Sequence, residues 1–157
     1  MTDEFIEDIS ESRIVKMADD FIKTASSQRS AMEAVVGLLH ASVPHFNWVG
    51  IYLLNEDKIL RLGPYRGKPS QHREIPLDDG ICGAAAREKK TVIIPDVNAD
   101  PRYLACSLET KSEIVVPIMI GDQVKGEIDI DSDKLNAFDI GDQKLLEVIA
   151  ARLAELF

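Results

Sequence analysis

Residues 124–131, VKGEIDID, alternate with a period of two: Val124, Gly126, Ile128 and Ile130 share one face of an extended chain, and Lys125, Glu127, Asp129 and Asp131 share the other. A strand so patterned has an apolar face to cover, which commits the chain to a sheet with a second layer packed on it. NWVGIYLL (47–54) and SEIVVPIMI (112–120) have the same strand composition. Asn55, Glu56 and Asp57 supply a turn before Ile59, Leu60 and Leu62, so the first of these predicts an antiparallel hairpin.

The period changes to helical at both ends. Ile14, Met17, Phe21 and Ile22, then Met32, Val35, Val36 and Leu39, predict two helices between about Arg13 and Val43, with Ser26, Ser27 and Ser30 marking the break. Near the C-terminus, Leu145, Leu146, Ile149, Leu153 and Leu156 predict a helix from about Asp139, with Asp139 as its cap and Asp142 at the capping-box position. GPYRGKPSQHREIPLDDG reads as a long loop with one extended piece near Glu74 to Leu77, ICGAAAREKK as a short helix and TVIIPDV as another strand. The order α-α-β-β-β-α-β-β-β-α predicts an α+β domain over residues 1–157. Its N-terminal helices fall at about 13–43, its sheet and loops at about 47–131 and its C-terminal helix at about 139–157. The terminal helices would lie on one side of a central antiparallel sheet, and the long loops would enclose a pocket on the other.

With 157 residues and 45% hydrophobic content, the chain is long enough for one real core. A formal net charge of -9 opposes binding to a phosphate backbone or an anionic membrane. The acidic start MTDEFIEDISES does not suit a signal peptide, no apolar run reaches membrane-spanning length, and two cysteines fit a reducing compartment. The expectation is a cytoplasmic protein.

The chemistry starts from Cys106. It lies in the polar run of Ser107, Glu109, Thr110, Lys111 and Ser112, whereas a cysteine used for packing usually lies in an apolar segment, so it is the candidate nucleophile. Glu113 follows at the head of a β-branched strand, which lets an acid and a thiol share a pocket. Trp48, Gly50 and Tyr52 share a strand face, where two rings flanking a glycine leave a notch suited to a small apolar or sulfur-bearing group. The plainer reading makes both aromatics core or dimer contacts. Asp129 and Asp131 have two readings as well. They are a solvated sheet face, or acids roofed by the long loops that bind an ammonium or deliver a proton. Cys82 follows Gly80 and Ile81 at a helix start, where the dipole favours a thiolate, but a packed cysteine is the more ordinary role there. His40, His45 and His72 lack ligand spacing, so no metal site is expected. No phosphate loop, Ser-His-Asp order or dinucleotide fingerprint is present.

From Asn47 to Asp142 the chain resembles the free methionine-(R)-sulfoxide reductases, which are built on a GAF-type domain. The segments that carry the resemblance are NWVGIYLL, LGPYRGKP, GICG, IPDV, LACSLETKSEIVVPI and GEIDIDS. It implies a thiol-dependent enzyme that reduces the R epimer of free methionine sulfoxide, usually a homodimer through its helices, with no bound cofactor. By position, Cys106 matches the family's catalytic cysteine, and Trp48, Tyr52, Glu113, Asp129 and Asp131 match its substrate pocket. Cys82 matches a further cysteine of variable role. The usual cysteine shortly after GKP is absent, its place falling at Gln71 or His72. The implied chemistry is attack by Cys106 on the sulfoxide sulfur, protonation of oxygen by Glu113 or Asp131, and a Cys106 sulfenic acid. Resolution would come from Cys82 with a thioredoxin-like reductant, or from an external thiol directly. The competing functions are a non-catalytic GAF domain that senses a small ligand and a thiol redox sensor.

Overall fold

The computed structural model of the protein describes residues 3–105 and 107–157. Helices α1 (Asp3–Thr24) and α2 (Gln28–Ser42) lead into strands β1 (Trp48–Leu54), β2 (Ile59–Arg66) and β3 (Glu74–Pro76). Helix α3 (Gly80–Glu88), β4 (Val92–Ile94), a 3-10 turn (Val97–Ala99), β5 (Ser112–Ile120), β6 (Gln123–Ser132) and α4 (Ile140–Ala154) complete the chain. The element order is the one expected from the sequence. α1 differs in extent, beginning ten positions before Arg13.

The six strands form one antiparallel sheet in the order β3-β2-β1-β6-β5-β4. One face carries Val49 and Ile51 of β1, Ile114, Val116 and Ile118 of β5, and Ile128 and Ile130 of β6. All are buried against Ile14 and Ala18 of α1, Val35 and Leu39 of α2, and Leu146 and Ile149 of α4. The opposite face carries Trp48, Tyr52 and Val115, which pack on Ile81, Cys82, Ala85 and Ala86 of α3. The period-two alternation of the strands thus separates a helix-packed core from a second layer made of α3 and the loops.

Local chemistry fixes the helix starts. Ser27 caps α2, its Oγ accepting from the Ser30 N–H at 3.0 Å. Asp139 and Asp142 form the expected capping box on α4. Asp142 Oδ2 also bonds His45 Nε2 at 3.0 Å, tying the helix start to the β1 approach. Gly126 lies against the β1 backbone, since a Cβ there would stand 2.5 Å from the Tyr52 carbonyl oxygen. Its lack of a side chain lets the central strand pair close. Among the described residues no helix is long and apolar enough to cross a membrane.

Candidate active site

The site lies on the α3 side of the sheet, and strand register assembles it. Across β1 and β6, Trp48 faces Asp131, Gly50 faces Asp129 and Tyr52 faces Glu127. Across β5 and β6, Glu113 faces Asp131 and Val115 faces Asp129. Alternation then sends Glu113, Glu127, Asp129 and Asp131 to the same side as Trp48 and Tyr52. All four acids are buried, with Glu127 at 0% exposure and Glu113, Asp129 and Asp131 at 4–5%. Of the two readings open for Asp129 and Asp131, a solvated sheet face is therefore excluded. They lie under α3 and the loops.

Burial controls their protonation. Glu113 is held well above the usual carboxyl range by loss of solvent, then by the charges of Asp129 and Asp131. Asp131 is raised by burial and by Asp129, Asp129 by burial, and Glu127 by burial and by Asp129. Glu113 hydrogen-bonds both Asp129 and Asp131, so the three share protons rather than carry three charges. Asp129 Oδ1 and Asp131 Oδ1 are buried without a hydrogen-bond partner, and Glu127 meets only the Cys82 thiol. Among the described residues no buried Lys or Arg stands beside them, so burial and mutual repulsion both favour the protonated carboxyl.

Cys82, in the first turn of α3, is 4% exposed. The dipole that favours a thiolate at this place is outweighed. Burial raises the thiol well above its usual value, and Asp129, Glu127 and Glu113 raise it further. Of the two readings for Cys82, the packed thiol fits its surroundings.

The aromatics play different parts. Trp48 stacks on Tyr65 with ring centroids 5.8 Å apart and donates from Nε1 to the Lys68 carbonyl at 2.9 Å. The expected open notch at Gly50 is filled by Trp48 itself. A Cβ on Gly50 would lie 2.3 Å from Trp48 Cη2, so the indole lies across the glycine and its outer surface faces the pocket. Gly50→Ala is therefore expected to displace the indole and lower kcat/KM by about 10- to 100-fold, as small misplacements of positioning groups do. Steady-state kinetics on the folded variant checks this, and an unchanged kcat/KM would remove the indole from the site.

Tyr52 is 1% exposed and donates its hydroxyl to the His72 carbonyl at 2.7 Å. Ser70 Oγ accepts from the His72 N–H at 3.1 Å, and His72 Nε2 contacts the Ala105 carbonyl at 3.1 Å. The loop after β2 is thus anchored from beneath by Trp48 and Tyr52 and joined sideways to the 100–111 loop. Lys68 and Glu109 form an exposed ion pair between the same two loops.

Two cavities lie beneath. One of about 80 Å³ is lined by Trp48, Asn47, Lys68, Ser70, Ser107 and Asp131 among others. A smaller one of about 20 Å³ is lined by Tyr52, His72, Cys82, Leu104, Glu113 and Asp129 among others. Cys106 lies outside the described residues. Its chain neighbours divide between the cavities, Leu104 at the smaller and Ser107 at the larger.

The sequence reading omitted Glu127, His72 and the Lys68–Glu109 pair. The alternation that placed Asp129 and Asp131 on one face also places Glu127 there, so that signal was present. Nothing local could reveal the two loop contacts, which join residues 33 and 41 positions apart.

Residues 28–156 match the GAF domain family. The chain is 42% identical to the structure of the type II free methionine-R-sulfoxide reductase from Thermoplasma acidophilum, with a TM-score of 0.80 over 82% of this chain and 91% of that one. The chain belongs to the free methionine-R-sulfoxide reductase family. The substrate-bound structure of the family member from Neisseria meningitidis is 30% identical, with a TM-score of 0.88 over 94% of this chain and 87% of that one. The Saccharomyces cerevisiae free methionine-R-sulfoxide reductase is 46% identical over 107 residues, which cover 66% of this chain and 59% of the yeast protein. Of the six residues expected from sequence at the site, the five that are described, Trp48, Tyr52, Glu113, Asp129 and Asp131, line the two cavities, with Cys82 beside them.

Proposed function

We infer that this protein is an oxidoreductase that reduces free methionine-R-sulfoxide to methionine. The observation that best supports the chemistry is the buried acid set of Glu113, Asp129 and Asp131, whose carboxyls are all pushed above their ordinary range. Sulfoxide reduction needs protons at the departing oxygen, and an acid kept neutral near pH 7 can supply one.

In the proposed reaction the Cys106 thiolate attacks the sulfoxide sulfur. An S–S bond forms as the sulfoxide oxygen is protonated from Glu113 or Asp131, directly or through water, and leaves as water with cleavage of the S–O bond. A water then attacks the Cys106 sulfur, the S–S bond breaks with its electron pair going to the methionine sulfur, and a proton returns to the acids. The products are methionine and a Cys106 sulfenic acid, so the sulfoxide is reduced by two electrons and the cysteine oxidised by two. A thiol then attacks the sulfenic acid and releases water, and a second thiol frees Cys106 as a disulfide forms. The depth of Cys82 and its raised thiol favour an external thiol as the first attacker. A small-thiol or thioredoxin-like reductant supplies the electrons, and no bound cofactor is required.

Trp48 holds the methyl-sulfur end, and Tyr52 supports it by fixing the loop at His72. Asp129, with a neighbouring acid, accepts the free α-ammonium. A peptide-bound residue offers a neutral amide and extra chain to a small, loop-covered pocket, so it is rejected.

The test is turnover of free methionine-R-sulfoxide against the S epimer and a peptide-bound sulfoxide, with dithiothreitol or thioredoxin as reductant. Turnover confined to the free R epimer is expected, and binding without turnover under both reductants would leave a sensing domain instead. Trp48→Ala separates a thiol redox sensor from the reductase. It should abolish most sulfoxide turnover while leaving peroxide oxidation of the protein's reactive thiol nearly unchanged.

A further inference from the structure

We propose that Cys82, Glu113 and Asp129 form a site for a thiophilic divalent cation of the zinc type, built into the floor of the smaller cavity. One ligand atom from each, a thiol sulfur and two carboxylate oxygens, lies within 4.8 Å of the others. They come from three separate elements, α3, β5 and β6, so the cluster is held by the tertiary fold. A tetrahedral zinc ion needs donors at about 2.3 Å for sulfur and about 2.0–2.2 Å for oxygen, which puts neighbouring donors roughly 3.5 Å apart.

A second observation points to a ligand. Asp129 Oδ1 is buried without a hydrogen-bond partner, on a side chain that itself lines the cavity. Glu127 is fully buried and hydrogen-bonds the Cys82 thiol. Carboxyl oxygens next to a thiol, with no basic side chain except His72 among the residues lining the cavity, offer a cation donors that can release their protons to it on binding. Sulfur in the set selects zinc over magnesium or calcium, which prefer all-oxygen sites. With three protein ligands the ion keeps an open coordination position toward the cavity. Glu113 and Asp129 also belong to the proposed substrate site, so the ion would compete with substrate. Only that competition rests on the reductase reading, because cation binding itself does not depend on turnover.

Cobalt(II) titration of the reduced, metal-free protein tests the site through the near-ultraviolet charge-transfer absorption of a cobalt–thiolate bond. The expected result is a one-equivalent band that zinc displaces, is retained by Cys106→Ser and is lost in Cys82→Ser. Asp129→Asn should weaken cobalt binding at least tenfold, and it carries the test if Cys82→Ser does not fold by circular dichroism. A wild-type protein with no band, a band that follows Cys106 instead of Cys82, or unchanged affinity in Asp129→Asn would each overturn the proposal. In assays of the R epimer, zinc should raise KM without changing kcat. Cobalt binding at Cys82 with no effect on KM would leave the site standing and remove its link to catalysis.

Discussion

Cys106→Ser is expected to abolish turnover of free methionine-R-sulfoxide, by about 10³-fold or more, because a hydroxyl with a pKa far above that of a thiol cannot replace the attacking thiolate. Cys82→Ser should retain activity within about threefold with dithiothreitol, since an external thiol can resolve a sulfenic acid without it. The contrast follows from position. Cys106 stands in a polar stretch of sequence, whereas Cys82 is buried in the first turn of α3 beside acids that raise its thiol well above the usual value. Kinetics with both reductants and mass spectrometry of the oxidised protein decide the matter. A high-yield Cys82–Cys106 disulfide together with loss of turnover in Cys82→Ser would move resolution to Cys82.

The second large effect concerns stability. Glu127 is fully buried, its hydrogen bond from the Cys82 thiol is a weak one, and burial and Asp129 raise its carboxyl well above the ordinary range. A carboxyl whose folded pKa exceeds its unfolded value binds a proton more tightly in the native state. Its contribution is fully present below the unfolded value, near pH 4.3, and is lost as pH rises toward the folded one, at about 1.4 kcal/mol per pH unit. Glu127→Met keeps an unbranched side chain of similar size and removes the titrating group. It should stabilise the protein by on the order of 1–3 kcal/mol at pH 7, and by much less near pH 4.5. Denaturant unfolding in chelator-treated buffer at several pH values measures the difference. A gain independent of pH would mean that Glu127 does not titrate on unfolding, and a loss at pH 7 would mean that its contact with the Cys82 thiol outweighs the cost of its burial.

Why the first prediction was legible in the sequence and the second was not is a matter of what local pattern encodes. The polar surroundings of Cys106 and the apolar alternation of β1, β5 and β6 are properties of neighbouring residues, and they place the strands and the two helical ends correctly. The alternation in VKGEIDID says that Glu127, Asp129 and Asp131 share a face, but not what covers that face. The cover is α3, some forty residues earlier in the chain, together with loops whose path depends on Trp48, Tyr52 and His72. Gly50 illustrates the same limit. Two aromatics around a glycine read as an empty notch because a sequence does not report χ angles, and the indole that turns back over the glycine closes it. Cys82 is the converse. Its helix-start position carries a local argument for reactivity, which long-range burial by acids overrules.

The anchoring of the loop after β2 through the Trp48 indole has a practical consequence. Trp48 is the single tryptophan of the chain, and its ring stacks on Tyr65, bonds the Lys68 carbonyl and borders the larger cavity. The protein therefore carries its own fluorophore at the mouth of its pocket. Emission from one defined position reports ligand arrival, loop displacement and loss of the stacking partner without any label.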